Sequence, residues 1–131
     1  MKTLIVEDDV TSALVLQGLL ARYGECHIAV NGLEGVKAVR MALLTAKPYD
    51  FICLDIMMPE MDGQTALKEI RNSERELEAS GRYRAKIVMT TAVADKGTVL
   101  KAIQDHCDGY LVKPIEKVKL LKELHRLGLL R

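Results

Sequence analysis

The sequence is poor in most of the features that announce a function. Lysine and arginine number 19 against 18 aspartates and glutamates, a formal net charge of +1. That balance offers neither a basic nucleic-acid footprint nor an acidic tail, so direct nucleic-acid binding is not expected. No apolar run approaches the roughly 18 residues that a membrane-crossing helix requires, so no membrane role is expected either. The opening Met1-Lys2-Thr3-Leu4-Ile5-Val6-Glu7-Asp8-Asp9 turns acidic too soon to read as a signal peptide. The cysteines are only three, Cys26, Cys53 and Cys107, far apart and without metal-ligand spacing. They read as reduced, structural thiols of an intracellular, cytoplasmic protein. No internal repeat, low-complexity segment or linker interrupts the chain. What is present is an ordinary globular balance: 131 residues, 49% hydrophobic and 28% charged. It predicts one domain, residues 1–131, with a sizeable core.

Strand-like and helix-like stretches alternate from end to end. Thr3–Val6 is a short β-branched, apolar run. Ser12–Tyr23 carries Ala13, Leu16, Leu19, Leu20 and Tyr23 at helical spacing and stops at Gly24. Cys26–Val30 reads as a second strand closed by the Asn31-Gly32 turn pair. Gly32–Thr45 reads as a helix with Leu33, Val36, Val39, Ala42 and Leu43 on one side, ended by Pro48. Asp50–Leu54 is the third strand, and Gly63–Ala79 a longer helix, apolar at its start and highly charged at its end, broken by Ser80-Gly81. Ile87–Thr90, Thr98–His106, Gly109–Val112 and Ile115–Leu127 follow as strand, helix, strand and helix, the last with Ile115, Val118, Leu121 and Leu124 as its apolar stripe. Five such βα units predict an α/β fold with a five-stranded parallel sheet, helices on both faces and right-handed crossovers. The charged stretch Asn72–Lys86 is longer than a minimal connection. It reads as a frayed helix end and a solvated loop, or else as a partner-specific contact.

The third strand is the most informative. Phe51-Ile52-Cys53-Leu54 is apolar throughout, as in a strand buried on both faces, and it ends in a carboxylate, Asp55. Parallel sheets place their chemistry at the carboxyl ends of the strands. Collected there are Glu7-Asp8-Asp9 after the first strand, Asp55 after the third, Thr90-Thr91-Ala92 at the fourth and Lys113-Pro114 after the fifth. So many carboxylates repel one another, and a hard divalent cation resolves the repulsion; Mg²⁺ accepts carboxylates, a carbonyl, waters and a phosphate oxygen. Lys113 adds a mobile point charge, and Thr91 a hydrogen-bond donor for an added oxyanion. The set suits phosphoryl transfer to a carboxylate nucleophile. Taken singly, each element has a plainer role: Asp9 as a helix cap, Met57 and Met58 as core filler, Lys113-Pro114 as a turn. Their joint occurrence at four strand ends favours the chemical role.

Four segments carry a family resemblance: Leu-Ile-Val-Glu-Asp-Asp (4–9), Leu-Asp-Ile-Met-Met-Pro-Glu-Met-Asp-Gly (54–63), Met-Thr-Thr-Ala (89–92) and Gly-Tyr-Leu-Val-Lys-Pro (109–114). The chain resembles the response-regulator receiver domains of two-component signalling from Lys2 to about Leu127. The resemblance implies a flavodoxin-like sheet with strand order 2-1-3-4-5. It implies Asp55 as the phospho-accepting aspartate. Glu7 and Asp8, with Asp55 and the backbone carbonyl of Met57, would hold Mg²⁺, Asp9 lying just outside the matched pair. Thr91 would be the switch hydroxyl, Lys113 the phosphoryl-contacting cation before a proline that is often cis, and Tyr110 the aromatic whose rotamer reports the state. The implied partners are a sensor histidine kinase or histidine phosphotransfer protein and a downstream protein effector. The resemblance also implies that the receiver is not an enzyme toward other substrates and that it catalyses its own phosphorylation and dephosphorylation. The readout face would be roughly Asp95–Leu124. A phosphorylation-dependent dimer through the last helices is left open.

Three departures and three rivals frame that reading. Glu7 stands where Asp is usual, and Met57 and Val93, two residues past Asp55 and Thr91, cannot orient an attacking water; a long-lived phospho-state is expected. A haloacid-dehalogenase-like phosphatase would place a second acid at the position of Met57. A flavodoxin would need a Ser/Thr/Gly-rich loop where Glu7-Asp8-Asp9 stands. A receiver-like interaction module that is never phosphorylated is the alternative closest to the main reading. His27, His106 and His125 lack supporting acids in the pattern and read as structural or surface residues.

Overall fold

Five short apolar runs pair side by side. In the computed structural model, which describes residues 1–58, 60–77, 84–92, 97, 101, 104 and 106–131, they are β1 (Thr3–Val6), β2 (Cys26–Ala29), β3 (Phe51–Asp55), β4 (Lys86–Thr91) and β5 (Gly109–Val112). The sheet has the order β2-β1-β3-β4-β5, and every pairing is parallel. This is the expected order. It reverses between β1 and β3, so the crevice at their carboxyl ends is the topological switch point where such sheets bind ligands.

Strand side chains alternate between two cores. Leu4, Val6, Ile52, Leu54, Ile87 and Met89 pack with α2 (Gly32–Leu44) and α3 (Gly63–Leu77). Ile5, Phe51, Cys53, Val88 and Leu111 pack on the opposite face with α1 (Val10–Leu20) and α4 (Lys117–Arg126). All five residues of β3 are buried, Asp55 included. Each leucine or isoleucine removed from water there contributes about 1.5–3 kcal/mol, enough to fix which face of each strand points where.

Several element ends differ from the sequence expectation. The α1 helix begins at Val10 because the Asp9 carboxylate accepts from Ser12 N, and its last turn tightens into a 3-10 turn, Ala21–Tyr23. Gly24 then turns the chain at φ +142°, where a Cβ would sit 1.8 Å from the Met1 carbonyl oxygen. On α4 the expected Leu124 is buried and Ile115 and Leu121 pack partly buried against the same core, but Val118 is 63% exposed and Leu120 is buried instead. The helix starts only after Glu116, in extended conformation, so Val118 falls in its first turn, off the buried face. Most of the helix expected over Thr98–His106 lies outside the described residues, as do Val93 and Asp95.

The charged stretch Asn72–Lys86 is solvated only in part: Asn72, Arg75, Glu76 and Arg84 are exposed, and residues 78–83 lie outside the described residues. Helix α3 continues to Leu77, and Arg71, Ser73 and Glu74 are buried. Several of their partners lie far away in sequence: Arg71 donates to Asp108 Oδ2 and to the carbonyls of Ala85 and His106, Glu74 Oε2 accepts from Ala85 N, and Ser73 Oγ accepts from Arg40 Nη1. His27 does have a supporting acid, with Nε2 3.0 Å from Glu25 Oε1 and Nδ1 2.7 Å from Tyr49 Oη. No described helix is long and apolar enough to cross a membrane.

Candidate functional site

The carboxyl end of β3 is closed in from behind. Ile56 N donates to Thr90 O, and Gly63 N to Ile56 O, which folds the turn after β3 back on itself. A Cβ on Gly63 would come within 2.1 Å of the Asp55 carbonyl oxygen and 2.7 Å of Ile56 Cα, so only glycine lets α3 start this close to the strand. Asp55 is 4% exposed, and its Oδ1 accepts from Met57 N at 3.2 Å.

Around it gather most of the residues that the sequence nominated. Glu7, buried at the end of β1, Asp8, exposed, and Asp55 each place a carboxylate oxygen within 4.8 Å of the others. Lys113 follows β5 through a cis Lys113–Pro114 bond and donates to Glu7 Oε1 at 2.5 Å and to Asp55 Oδ2 at 3.2 Å. Burial alone would lower the pKa of its ammonium. The Glu7 hydrogen bond and the Asp55 charge outweigh that and hold it above the ordinary lysine value. Three carboxylates thus face one ammonium. The donors are all hard oxygens with no sulfur or imidazole among them, a set that fits Mg²⁺ and not a softer metal.

The other nominated residues sit nearby in different ways. Thr91 is buried at the end of β4, one position beyond the residue paired with Asp55, and its carbonyl accepts from Lys113 N at 2.7 Å. The Met57 side chain is 74% exposed, so its backbone rather than its thioether faces the site. Tyr110 pairs with Met89 on β5 and is 43% exposed, outside the acidic cluster. Asp9 stands apart as the cap of α1; its hydrogen bonds from Ser12 Oγ and N hold its carboxyl below the usual aspartate value. Beside the Glu7–Lys113 pair opens a cleft of about 380 Å³ lined by Thr11, Ser12, Val15, Leu16, Pro114 and Ile115. The sequence reading missed Gly63 and Arg71: the first needed the turn geometry, the second its distant partners.

Known proteins resemble this chain in sequence and fold. The family described as response regulator receiver domain matches residues 3–125. The chain is 40% identical over 131 residues to the hybrid signal transduction histidine kinase G of Dictyostelium discoideum, covering 98% of the chain but only 4% of that kinase. It is 29% identical over 125 residues to the chemotaxis protein CheY of Bacillus subtilis, covering 95% of each. Among solved structures, the receiver domain of the Arabidopsis thaliana histidine kinase CKI1 complexed with Mg²⁺ and BeF₃⁻ superposes with a TM-score of 0.80 at 27% identity, covering 95% of this chain and 89% of that one. The chain spans a small fraction of the kinases it resembles and nearly the whole of the chemotaxis protein. With the strand order, the acidic cluster and the Lys113 contacts in place, the chain belongs to the response regulator receiver domain family of two-component signalling.

Proposed function

We propose that residues 1–131 work as one phospho-accepting receiver domain, with Asp55 as the acceptor. The observation that carries this reading is the buried Asp55 carboxylate at the switch point, 3.2 Å from the Lys113 ammonium and clustered with Glu7 and Asp8. A phosphoryl group arrives from the phosphohistidine of a sensor kinase or histidine phosphotransfer protein, or from a small acyl phosphate. An Asp55 carboxylate oxygen attacks phosphorus, a P–O bond forms, and the bond to the donor breaks as the imidazole or carboxylate leaves. Lys113, drawn between two carboxylates in the resting state, is free to contact a phosphoryl oxygen once Asp55 is esterified. Thr91, one position beyond the residue paired with Asp55, would supply a neutral hydroxyl donor. The Glu7, Asp8 and Asp55 carboxylates and the Met57 carbonyl would hold Mg²⁺. When bound, the ion neutralises charge on the transferring group.

The acyl phosphate then biases a two-state equilibrium. Moving it from 1:99 to 99:1 takes about 5.5 kcal/mol of differential stabilisation, which the new Thr91 and Lys113 contacts must largely supply. The readout is through contact with a protein effector rather than nucleic acid. Since Met57 carries a thioether where a water-orienting group could stand, the phospho-state is long-lived: decay in Mg²⁺ buffer without a phosphatase takes minutes or longer, and a half-life of seconds contradicts this. The switch itself is tested with beryllofluoride and Mg²⁺. Thr91 and Tyr110 resonances move in the wild type and stay still in Asp55→Asn. Unmoved resonances in the wild type would leave a receiver-like module that signals without phosphorylation.

A further inference from the structure

We propose that Arg71 and Asp108 form a clasp that sets the register of β5 against β4 and so places the Lys113 ammonium on Asp55. The proposal rests on the reading of Asp55 as phosphoacceptor. Strand β5 has four residues, lies at the edge of the sheet, and buries only Leu111. Side-chain packing therefore specifies its register weakly. Yet Lys113 follows immediately, and a slip of two residues along a parallel strand would carry its ammonium about 6.6 Å away from Glu7 and Asp55.

The register is pinned from the far end of the strand. Asp108 N donates to Ile87 O at 2.8 Å, and Asp108 Oδ2 accepts from Ile87 N at 2.8 Å, so one residue takes both backbone groups of Ile87. The same Oδ2 accepts from Arg71 Nη2 at 2.9 Å. The rest of the guanidinium is spent on backbone and on Glu74. Nε and Nη2 donate to His106 O at 3.1 and 3.0 Å, and Nη1 to Ala85 O and Glu74 Oε1 at 2.8 Å each. Glu74 Oε2 in turn accepts from Ala85 N at 2.7 Å. The side chains of Arg71 and Glu74 are each 5% exposed, that of Asp108 16%. Next to the clasp, His106 sits at φ +68°, a conformation uncommon for a non-glycine residue.

A buried ion network of this kind is a poor source of stability compared with apolar side chains of similar volume; its best attested use is to specify register. None of its members lies in the Glu7–Asp8–Asp55 cluster. It acts on the site only through the strand, which makes Arg71 and Asp108 positioning residues for Lys113.

The test compares Arg71→Met, Asp108→Ala and Asp108→Asn by phosphorylation rate with acetyl phosphate and by Mg²⁺ affinity. Arg71→Met and Asp108→Ala are expected to slow phosphorylation roughly tenfold to a hundredfold, the cost of misplacing a reacting partner by an ångström or more. Mg²⁺ affinity does not fall, because the Glu7, Asp8 and Asp55 carboxylates stay in place; withdrawal of the competing Lys113 ammonium leaves it unchanged or tighter. Asp108→Asn keeps an oxygen for Ile87 N and stays near the wild-type rate. Wild-type rates in Arg71→Met and Asp108→Ala, or Mg²⁺ affinity falling in step with the rate, overturn the clasp. If Asp108→Ala does not fold, Arg71→Met against Arg71→Lys carries the comparison. A wild type that takes no phosphoryl group refutes the acceptor reading instead. Even then, cross-strand NMR contacts between Met89 and Tyr110 and the Lys113 N to Thr91 O bond report the register directly, and their survival in Arg71→Met overturns the clasp.

Discussion

Asp8→Asn separates the electrostatic cost of the acidic cluster from its use. Asp8 is exposed, and no described cation pairs with it, whereas Glu7 and Asp55 share Lys113. Its carboxylate oxygen lies within 4.8 Å of oxygens on both neighbours. At that separation two unit charges repel by about 3.5 kcal/mol at an effective dielectric of 20, and by about 0.9 kcal/mol in water. Because Asp8 faces solvent, the lower figure governs, and salt reduces it further. In EDTA at low ionic strength the variant should therefore be more stable than the wild type by about 1 kcal/mol. Mg²⁺ removes the difference. At a concentration 100 times Kd it stabilises the wild type by about 2.7 kcal/mol; a tenfold weaker site in the variant yields about 1.4 kcal/mol at the same concentration. The assay is urea unfolding followed by circular dichroism, with EDTA and with Mg²⁺, at two salt concentrations. A variant less stable than wild type in EDTA, or one stabilised by Mg²⁺ as much as the wild type, refutes the assignment of Asp8 to the cluster.

Two further predictions concern the scaffold. Gly63→Ala forces a methyl against the Asp55 carbonyl and should cost about 1–3 kcal/mol in urea unfolding, while Gly18→Ala on α1, with nothing within 4 Å, should gain roughly 0.5–1 kcal/mol; equal effects would refute the close approach of α3. Burial pushes the Cys53 thiol up to about 12, with the Glu7 charge adding to it, whereas Cys26 and Cys107 are half-buried. Under native conditions at pH 8 a thiol reagent should label Cys26 and Cys107 first and Cys53 only on unfolding. Since the folded thiol titrates above the unfolded one, Cys53 contributes stability below about pH 8.5 that is lost as pH rises toward 12. Labelling of Cys53 as fast as Cys26 would show that β3 opens locally.

Much of the architecture is legible in the sequence for a physical reason. Strands buried on both faces must be apolar throughout, so Phe51–Leu54 and its neighbours declare themselves, and the abrupt carboxylate of Asp55 marks a strand end. The residues at four strand ends become a site once the strands are taken as parallel, since that arrangement brings all their carboxyl ends to one edge. What stayed hidden depends on partners distant in sequence. Glu74 read as part of a charged, solvated helix end because Ala85, which holds it, lies 11 residues away, and Arg71 gave no signal because Asp108 lies 37 residues away. On α4 the exposure of Val118 and the burial of Leu120 depended on where the helix starts, which Glu116 sets and the periodicity alone did not show. His27 gained its acid from Glu25, two residues back in the strand entry, with Tyr49 completing the group from 22 residues away.

The central claim is that Asp55 accepts a phosphoryl group. Intact-mass spectrometry after incubation with acetyl phosphate and Mg²⁺ addresses it most directly, with Asp55→Asn and an EDTA control alongside. The account predicts one added phosphoryl group on the wild type, none on Asp55→Asn and none in EDTA. Phosphorylation that persists in Asp55→Asn, or a wild type that stays unmodified with Mg²⁺ saturating, would contradict it.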